Sequence, residues 1–519
     1  MKKRIIKISA IALLSVVSVS TINSCRDAID IVQDGEVNDN LFYTSVANMD
    51  AYLKGGVYMN YEPASAIYAT SVLTDEVKPG SGSGGQQYDL HRYYITSADG
   101  LVSSTWISNY RVINNCNRLI EGSKKVTPSS SELASYNQIL AEARVLRALS
   151  YLQLQTYFSE NMQDDNALGV IIVDGVPTAD TKKQRSINKD VYNLINSDLD
   201  YAEQYLPQSS RYYASKNLVS AIRARLNLYR GKYAEAKAAA LEVLSKSGLS
   251  LTNALPASGL GSLVAGSTEW NTAFYKEPSF SPYRNIWNDT NQGEVIFAAS
   301  RPVSGSGTNL AASYNLNQSN LSGTPMWAMG RNLFNILDKT EGDIRRYTYV
   351  DPTSKIDPNY ATSSSPIQSD QLIIDKYPGK STAPLRNDVK VFRLSEMYFI
   401  LAECAVAEND FALAKSYIQK VRESRNYLGK AITPTYTSST QALADILKER
   451  RVELAFEGHR YIDLKRLAAK AGVTMDRNAT DDIVPVSNLE NGSYKYTFPI
   501  PMSEIAGNPN IQQNSGYAN

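Results

Sequence analysis

Apolar residues recur at helical spacing over much of the chain. In the clearest segment, Ile139, Ala143, Leu146, Leu149 and Leu152 follow one another at intervals of four, three, three and three residues, which places them on one face of a helix. Similar patterns occur elsewhere, and we expect helices over residues 106–121, 132–158, 189–206 and 441–467. The pattern therefore predicts a mostly α-helical protein.

Two helical segments repeat at an offset of 178 residues. Each copy has an apolar stripe, a turn, and a second stripe that begins with an aromatic residue. The matched positions are Val219, Ile222, Leu226, Tyr229, Tyr233, Ala236, Ala240 and Val243 in the first copy, and Met397, Ile400, Cys404, Ala407, Phe411, Ala414, Ile418 and Val421 in the second. Paired helices with small residues at their crossing are typical of a tetratricopeptide repeat. We predict a helical-repeat scaffold of about three or four helix pairs.

Two long stretches interrupt the helical pattern. Residues 60–100 and 248–390 are rich in Gly, Ser, Asn, Pro and Tyr, with short β-like runs at 293–297 and 372–374. We expect long irregular loops and a few short strands in these stretches. Because a rigid scaffold usually carries its ligand site on such segments, we expect the site there as well.

The N-terminus has the three parts of a secretory signal. Four cations in the first seven residues precede an apolar run over 8–19, which is too short to span a bilayer. Ser24 and Cys25 at its end resemble a bacterial lipobox, in which cleavage occurs before an acylated Cys. We predict a signal peptide over 1–24, lipidation (palmitate) at Cys25 and a polar tether over 25–40. An ordinary secretory signal is the alternative.

Charge and cysteine content restrict the function further. Loss of residues 1–24 changes the formal charge from +1 to −3. The Arg450–Arg451 pair is surrounded by glutamates, so the chain lacks the basic face that nucleic acid requires. Cys116 and Cys404 cannot form a disulfide framework or a Cys-based metal site, and each falls on an apolar stripe, where a free Cys acts as a small hydrophobe. A bridge between the two is the alternative.

The familiar enzyme motifs are weak or missing. Residues 80–85 match GxGxxG, but neither a strand before them nor a helix after them is predicted, as a dinucleotide site requires. No GxSxG motif occurs, and with His91 and His459 as the only histidines a Ser-His-Asp triad has few possible bases. We predict no catalytic residues.

Neighbouring carboxylates are candidates for catalytic or calcium-binding groups. Three such pairs occur, and we expect their carboxylates to be solvated on loops: Asp75-Glu76, Asp164-Asp165 and Asp481-Asp482. Asp164, Asn166 and Gly169 begin like a calcium loop, but no ligand-rich continuation follows. Calcium is the only cofactor that the sequence leaves open.

Two motifs carry a resemblance to a known family. Residues 446–466 read ILKERRVELAFEGHRYIDLKR and are similar to the signature helix of the SusD/RagB family. Residues 498–517, FPIPMSEIAGNPNIQQNSGY, resemble the C-terminal motif of that family. Weaker similarity covers residues 106–117, 141–151 and 393–403, whereas the segment after Phe158 departs from the family turn. The alternating charges of the signature helix indicate ion pairs that tie helices together rather than catalysis.

The resemblance implies a fold and a role. It implies a SusD-like domain over 41–519, with an N-terminal part at about 41–230 and a RagB/SusD C-terminal part at about 270–519. It further implies a lipoprotein on the cell surface, anchored in the outer membrane, that captures nutrient oligosaccharides or oligopeptides. Such proteins deliver the ligand to a SusC-like TonB-dependent transporter and are not enzymes.

Aromatic composition points to the ligand site. Tyr accounts for 34 residues, against 11 Phe and 4 Trp. Tyr and Trp rings stack on the apolar faces of sugars, while nearby polar groups bind the hydroxyls. The loop candidates for ligand binding are Tyr88, Trp270, Tyr275, Tyr314 and Trp327. We assign Trp106 and Trp287 to the structure.

Two other classes of function remain open. A surface glycoside hydrolase would release product through a carboxylate pair. A helical-repeat adaptor would bind a protein partner and would not need the aromatic loops. The sequence leaves the ligand itself open among plant glycans, host glycans and peptides.

Overall fold

Helices form most of the fold, as the apolar pattern predicts. The computed structural model describes residues 43–178, 181–256, 259–277, 280–305, 307–314 and 325–518. The predicted signal peptide, Cys25 and the tether lie outside these residues. The helices are α1 (Val46–Tyr52), α2 (Ala64–Val72), α3 (Tyr88–His91), α4 (Gly100–Ser123), α5 (Leu133–Phe158), α6 (Asn188–Tyr205), α7 (Lys216–Tyr229), α8 (Tyr233–Lys246), α9 (Thr268–Lys276), α10 (Pro282–Trp287), α11 (Arg331–Lys339), α12 (Arg345–Tyr349), α13 (Pro366–Ser369), α14 (Leu394–Ala407), α15 (Phe411–Arg425), α16 (Ser439–Glu453), α17 (Arg460–Leu467) and α18 (Met502–Gly507).

Short strands join distant parts of the chain. They are β1 (Val77–Pro79), β2 (Val295–Ala299), β3 (Trp327–Met329), β4 (Gly379–Lys380), β5 (Ala383–Pro384) and β6 (Val389–Arg393). The pairs β1–β3, β2–β6 and β4–β5 are all antiparallel. β2 confirms the run predicted at 293–297. The run at 372–374 contributes only an isolated bridge between Ile374 and Val350.

The repeat at an offset of 178 residues is present in the fold. Helices α7 and α8 begin 178 residues before α14 and α15. The two turns also correspond, because Gly231 and Asn409 both have left-handed φ angles, of 71° and 60°. The two hairpins pack directly against each other through α8 and α14. Together with α4, α5 and α6 on one side and α16 on the other, they form a continuous stack of helices.

One predicted helix is in fact two. The pattern predicts a single helix over 441–467, but α16 ends at Glu453 and α17 begins at Arg460. Phe456 in the break has a left-handed φ of 61°. Its N–H donates to Glu76 Oε1 at 2.8 Å, and its carbonyl accepts from the hydroxyl of Tyr377 at 2.8 Å. These distant partners satisfy backbone groups that a continuous helix would bond internally, so the apolar period alone could not reveal the break.

The predicted irregular stretches are also more ordered than expected. The region 60–100 contains α2, all of whose residues are buried, and 248–390 contains α9 to α13. These helices are short, at most nine residues each, so their helical period extends over too few residues to stand out from the loops around them.

Candidate functional site

The five aromatic candidates lie in two separate groups. Trp270 and Tyr275 belong to α9, while Tyr88, Tyr314 and Trp327 surround the β1–β3 pair. No ring contact joins the two groups among the described residues. The five rings therefore do not form one continuous aromatic cluster.

The α9 group is packed inside the protein. Trp270 is 0% exposed, with its ring stacked on Phe274 at 4.5 Å between centroids and tilted against Tyr347 at 4.4 Å. Tyr275 is half-buried, and its hydroxyl donates to the carbonyl of Tyr347 at 2.7 Å. The expectation that Trp270 stands on an exposed loop is wrong, because Ser267 caps a helix that turns the ring inward.

Two rings of the other group are buried as well. Trp327 is 0% exposed in β3, and its Nε1 donates to the hydroxyl of Tyr68 at 2.9 Å. Tyr314 is 1% exposed, and its hydroxyl donates to Ser71 Oγ at 2.9 Å. The expectation of loop exposure is corrected here too, since α2 supplies partners for both polar atoms. Trp106 and Trp287, assigned to the structure, are also buried.

Tyr88 lies at the edge of this packed group and reaches the surface. It is half-buried, with its ring 6.2 Å from that of Trp327 and the guanidinium of Arg92 5.2 Å from its centroid. Tyr94, which the sequence reasoning missed, is 68% exposed. Asp89 and Arg92 are exposed as well. We call Tyr88, Asp89, Arg92 and Tyr94 the 88–94 surface; a local concentration of Tyr was the signal available for Tyr94.

Asp75, two residues before β1, is held by two arginines of the signature region. Arg460 donates to both of its carboxylate oxygens, at 2.8 and 2.7 Å, and Arg451 Nη2 lies 3.4 Å away. The backbone N–H of Asp476 donates to it at 2.8 Å. Burial alone would raise the pKa of Asp75, but Arg451 and Arg460 outweigh burial and lower it. The chain that leads into β1 is thus fixed to α16 and α17.

The pKa of Glu76, next to Asp75, is shifted in the opposite direction. It is 1% exposed, and burial raises its pKa to about 7, although it accepts hydrogen bonds from Phe456 N–H and the Ser71 hydroxyl. No guanidinium bonds it among the described residues. Two neighbouring carboxylates are therefore driven apart in pKa, because only one of them has arginine partners.

A second set of buried charges holds the 88–94 surface from beneath. Arg477 donates to the carbonyls of Thr74, His91 and Val72 at 3.1, 2.8 and 3.1 Å. His91 Nε2 lies 3.1 Å from a carboxylate oxygen of Asp482, while burial lowers the pKa of the imidazole. This segment is consequently a rigid part of the scaffold, as a ligand site requires.

The remaining charges of the signature region form a buried network. Glu453 accepts from Arg345, Arg393 and Arg425 at 2.8–3.0 Å, and all four side chains are at most 3% exposed. Burial alone would raise the pKa of Glu453, but these guanidiniums hold it well below its ordinary value. The prediction of ion pairs that tie segments together is confirmed. The pairs of Glu453 run between chain segments, whereas Arg466 and Asp463 pair along α17 at 2.8 Å.

The neighbouring carboxylate pairs are mostly buried, not solvated as predicted. Asp75, Glu76, Asp481 and Asp482 are each at most 9% exposed. Asp164 instead closes a turn by accepting from the N–H of Asn166. Within the described ranges, no three His, Cys, Asp or Glu side chains come together as a possible metal site.

The two cysteines are core residues. Cys116 and Cys404 are both free and 0% exposed, which confirms their interpretation as small hydrophobes. Burial raises the pKa of the Cys404 thiol to about 12, so it stays protonated and unreactive. In the part of the chain that the structure describes, no helix has both the length and the apolar character needed to cross a bilayer.

The C-terminal motif joins the two halves of the fold. Asn514 Nδ2 donates to the carbonyls of Phe158 and Phe498 at 2.9 and 2.7 Å. Trp106 Nε1 donates to Glu504 at 3.2 Å. The C-terminal motif therefore lies against α4 and the end of α5, where Asn514 satisfies a carbonyl that the end of α5 leaves unpaired.

Comparison with known proteins assigns the family. Residues 294–517 match the model described as "SusD family", and residues 32–228 match the model described as "Starch-binding associating with outer membrane". The chain belongs to the SusD/RagB family. Two SusD-like proteins of Formosa agariphila are similar to it: one is 25% identical over 84% of this chain and 85% of its own length, and the other is 23% identical over 98% and 99%.

Solved structures of the SusD superfamily share the fold. One from Bacteroides thetaiotaomicron matches with a TM-score of 0.72 at 23% identity, covering 91% of this chain and all of its own. A structure described as a laminarin-binding SusD-like protein matches with a TM-score of 0.64 at 21% identity, covering 92% of this chain and all of its own. The mostly helical SusD-like fold predicted from the sequence is confirmed.

Proposed function

We propose that this SusD/RagB protein is a cell-surface lipoprotein that binds a glycan on the 88–94 surface without cleaving it. The observation that carries the proposal is the exposure of Tyr94 and the partial exposure of Tyr88 on a segment that Arg477 and Asp482 hold through His91. A rigid aromatic surface binds with little loss of conformational entropy.

The chemistry of the surface favours a sugar over a peptide. Tyrosine rings stack on the apolar faces of pyranoses, and the side chains of Asp89 and Arg92 supply an acceptor and donors for hydroxyl groups. The starch-binding description of the N-terminal family model and the laminarin-binding structural neighbour support the same class. The 88–94 surface lies within the part that matches that family model.

We propose further that Cys25 carries lipid in the outer membrane and that the bound glycan passes to a SusC-like TonB-dependent transporter. The lipobox-like end of the signal and the outer-membrane description of the family model support this placement. The acidic and polar stretch before the fold gives the domain reach from the membrane. Replacement of Cys25 by Ala should release the protein from the membrane fraction and abolish its co-purification with a barrel.

Binding is tested with the mature protein, in which Cys25→Ser removes the lipid. Neutral α-glucans, neutral β-glucans and a peptide pool are compared by calorimetry. Tyr94→Ala and Tyr88→Ala should each weaken glycan binding about tenfold, or ~1.4 kcal/mol. Tyr205→Ala is the matched control, because Tyr205 is 40% exposed at the end of α6. Unchanged affinity in the first two variants, binding of peptides alone, or release of shortened glycan would overturn the proposal.

A further inference from the structure

A large cleft lies at the opposite end of the helical stack from α4 and α5. It has a volume of about 820 Å³ and is formed by the end of α11, the residues that follow it, the end of α15, the loop 426–434 and one side of α16. None of its lining residues belongs to the 88–94 surface. Its volume is in the range of roughly 300–1,000 Å³ typical of ligand sites.

The walls of the cleft are fixed to each other by the backbone. Tyr427 N–H donates to the carbonyl of Gly342 at 2.9 Å, and Ile344 N–H donates to the carbonyl of Arg425 at 3.0 Å. The side chain of Asn426 donates to the carbonyl of Glu341 at 2.7 Å. Gly342 has a φ of 79°, and an added Cβ would lie 2.7 Å from Asn426, so the two walls meet as closely as possible. The cleft is thus preformed.

The carboxylates inside the cleft are already paired. Glu449 accepts from Arg345 Nη1 and from Arg422 Nε, both at 2.7 Å. Asp445 accepts from Arg422 at 2.9 Å and from the hydroxyl of Tyr436 at 2.6 Å. Each of the four oxygens therefore has a donor from the scaffold. These acids offer little negative charge to a ligand.

Two lysines at the rim of the cleft have no carboxylate partner among the described residues. Lys339 and Lys448 are exposed, and neither has an ion pair or hydrogen bond among the described residues. Six cationic and four acidic described side chains line the cleft, an excess of two positive charges. Ile432, 81% exposed, and Pro434 add apolar surface beside them. The cleft thus presents two unpaired ammonium groups, among the described residues, next to exposed carbon.

We propose that this cleft is a second binding site, which takes an oligosaccharide with anionic groups, carboxylate or sulfate, on its rings. The ammonium groups of Lys339 and Lys448 pair with the anionic substituents, and Ile432 and Pro434 contact the C–H faces of the rings. The site goes beyond the proposed function, because it shares no residue with the 88–94 surface. An acidic peptide is the competing occupant.

The test uses the mature protein and three probes: an oligogalacturonate, a sulfated oligosaccharide and a poly-glutamate peptide. At least one acidic sugar should bind, and its affinity should fall at least tenfold in Lys339→Ala/Lys448→Ala and fall again with added salt, since these charges are exposed. Lys189→Ala, which removes an exposed lysine at the start of α6, is the matched control. Both lysines are at the surface, and thermal unfolding checks that the double variant remains folded.

A second readout locates the ligand. Hydrogen exchange in 426–434 should slow when the acidic sugar is added, and Tyr94→Ala should not alter this protection. If both sugars fail to bind at millimolar concentration, if the lysine variant binds them unchanged, or if the peptide binds more tightly than either sugar, the proposal is overturned. Loss of neutral-glycan binding in Tyr94→Ala reports on the 88–94 surface alone, so the two proposals can fail separately.

Discussion

Arg460 donates a parallel pair of hydrogen bonds to Asp75, from Nε to Oδ1 at 2.8 Å and from Nη2 to Oδ2 at 2.7 Å, across 385 residues of sequence. Both side chains are buried. Asp75→Asn leaves the charge of Arg460 buried without a counterion and leaves Arg451 with Asp476 as its carboxylate partner, and we expect a loss of about 3–5 kcal/mol in the free energy of unfolding. Urea unfolding measures it.

A surface ion pair provides the control for this loss. Asp50 pairs with Lys54 one helical turn away, with side chains 42% and 53% exposed. Asp50→Asn should cost less than about 1 kcal/mol, because water screens the pair. Equal losses in the two variants would contradict the role given to Asp75.

Glu76 predicts a specific dependence of stability on pH. Burial raises its pKa to about 7 in the folded protein, from 4.5 in the unfolded chain. Between these values the folded protein keeps a proton that the unfolded chain has released, so the contribution of Glu76 is fully present below pH 4.5. As the pH rises through 7, the folded protein loses this contribution, which amounts to at most about 3 kcal/mol in the free energy of unfolding.

Glu76→Gln isolates that contribution. Glutamine cannot ionise and retains an acceptor for Phe456 N–H, so the variant should gain stability relative to the wild type as the pH rises from 4.5 to 7, with a constant difference above that range. Urea unfolding at a series of pH values gives the difference. A difference that does not change with pH would show that Glu76 is ionised throughout.

The two repeat turns should respond differently to substitution. Asn409 has a φ of 60°, where glycine is unstrained, so Asn409→Gly should change stability by less than about 0.5 kcal/mol and Asn409→Ala should lose about 1 kcal/mol. Gly231→Ala, at a φ of 71°, should also lose about 1 kcal/mol. Thermal unfolding ranks the three variants. A stable Gly231→Ala protein would mean that this turn adopts another conformation.

Trp327 and Trp270 should behave as core residues in spite of their sugar-binding chemistry. Each is 0% exposed, and truncation to Ala should cost about 3–5 kcal/mol of stability. The fraction that remains folded should keep its affinity for neutral glycan. Calorimetry at low temperature, corrected for the folded fraction, separates the two effects. A loss of affinity with unchanged stability would place these rings in the binding site.

Much of the scaffold could be predicted because its signals are local. The repeat follows from apolar spacing, a turn residue and one aromatic, all within about thirty residues of each copy. The ion pairs of the signature helix could be predicted as a type, since alternating charges on buried helices need partners. The actual partners of these charges, such as Asp75 for Arg460, could not be predicted, because they are distant in sequence.

The proposed ligand site was harder to predict for the same reason. Whether a loop tyrosine faces solvent depends on residues far away: Ser71 accepts the hydroxyl of Tyr314 from 243 positions earlier in the chain. The residue type alone does not tell whether a ring is exposed. In the structure, three of the five candidate rings are buried. Tyr94 was missed because a pair of adjacent tyrosines does not reveal which ring is exposed.

The direct contact between α8 and α14 has a consequence for biosynthesis. About 150 residues separate the end of the first hairpin from its neighbour in the stack. With the secretory signal predicted over 1–24, the chain folds after export, so the apolar side of α8 stays uncovered until Leu394–Ala407 has also crossed the inner membrane.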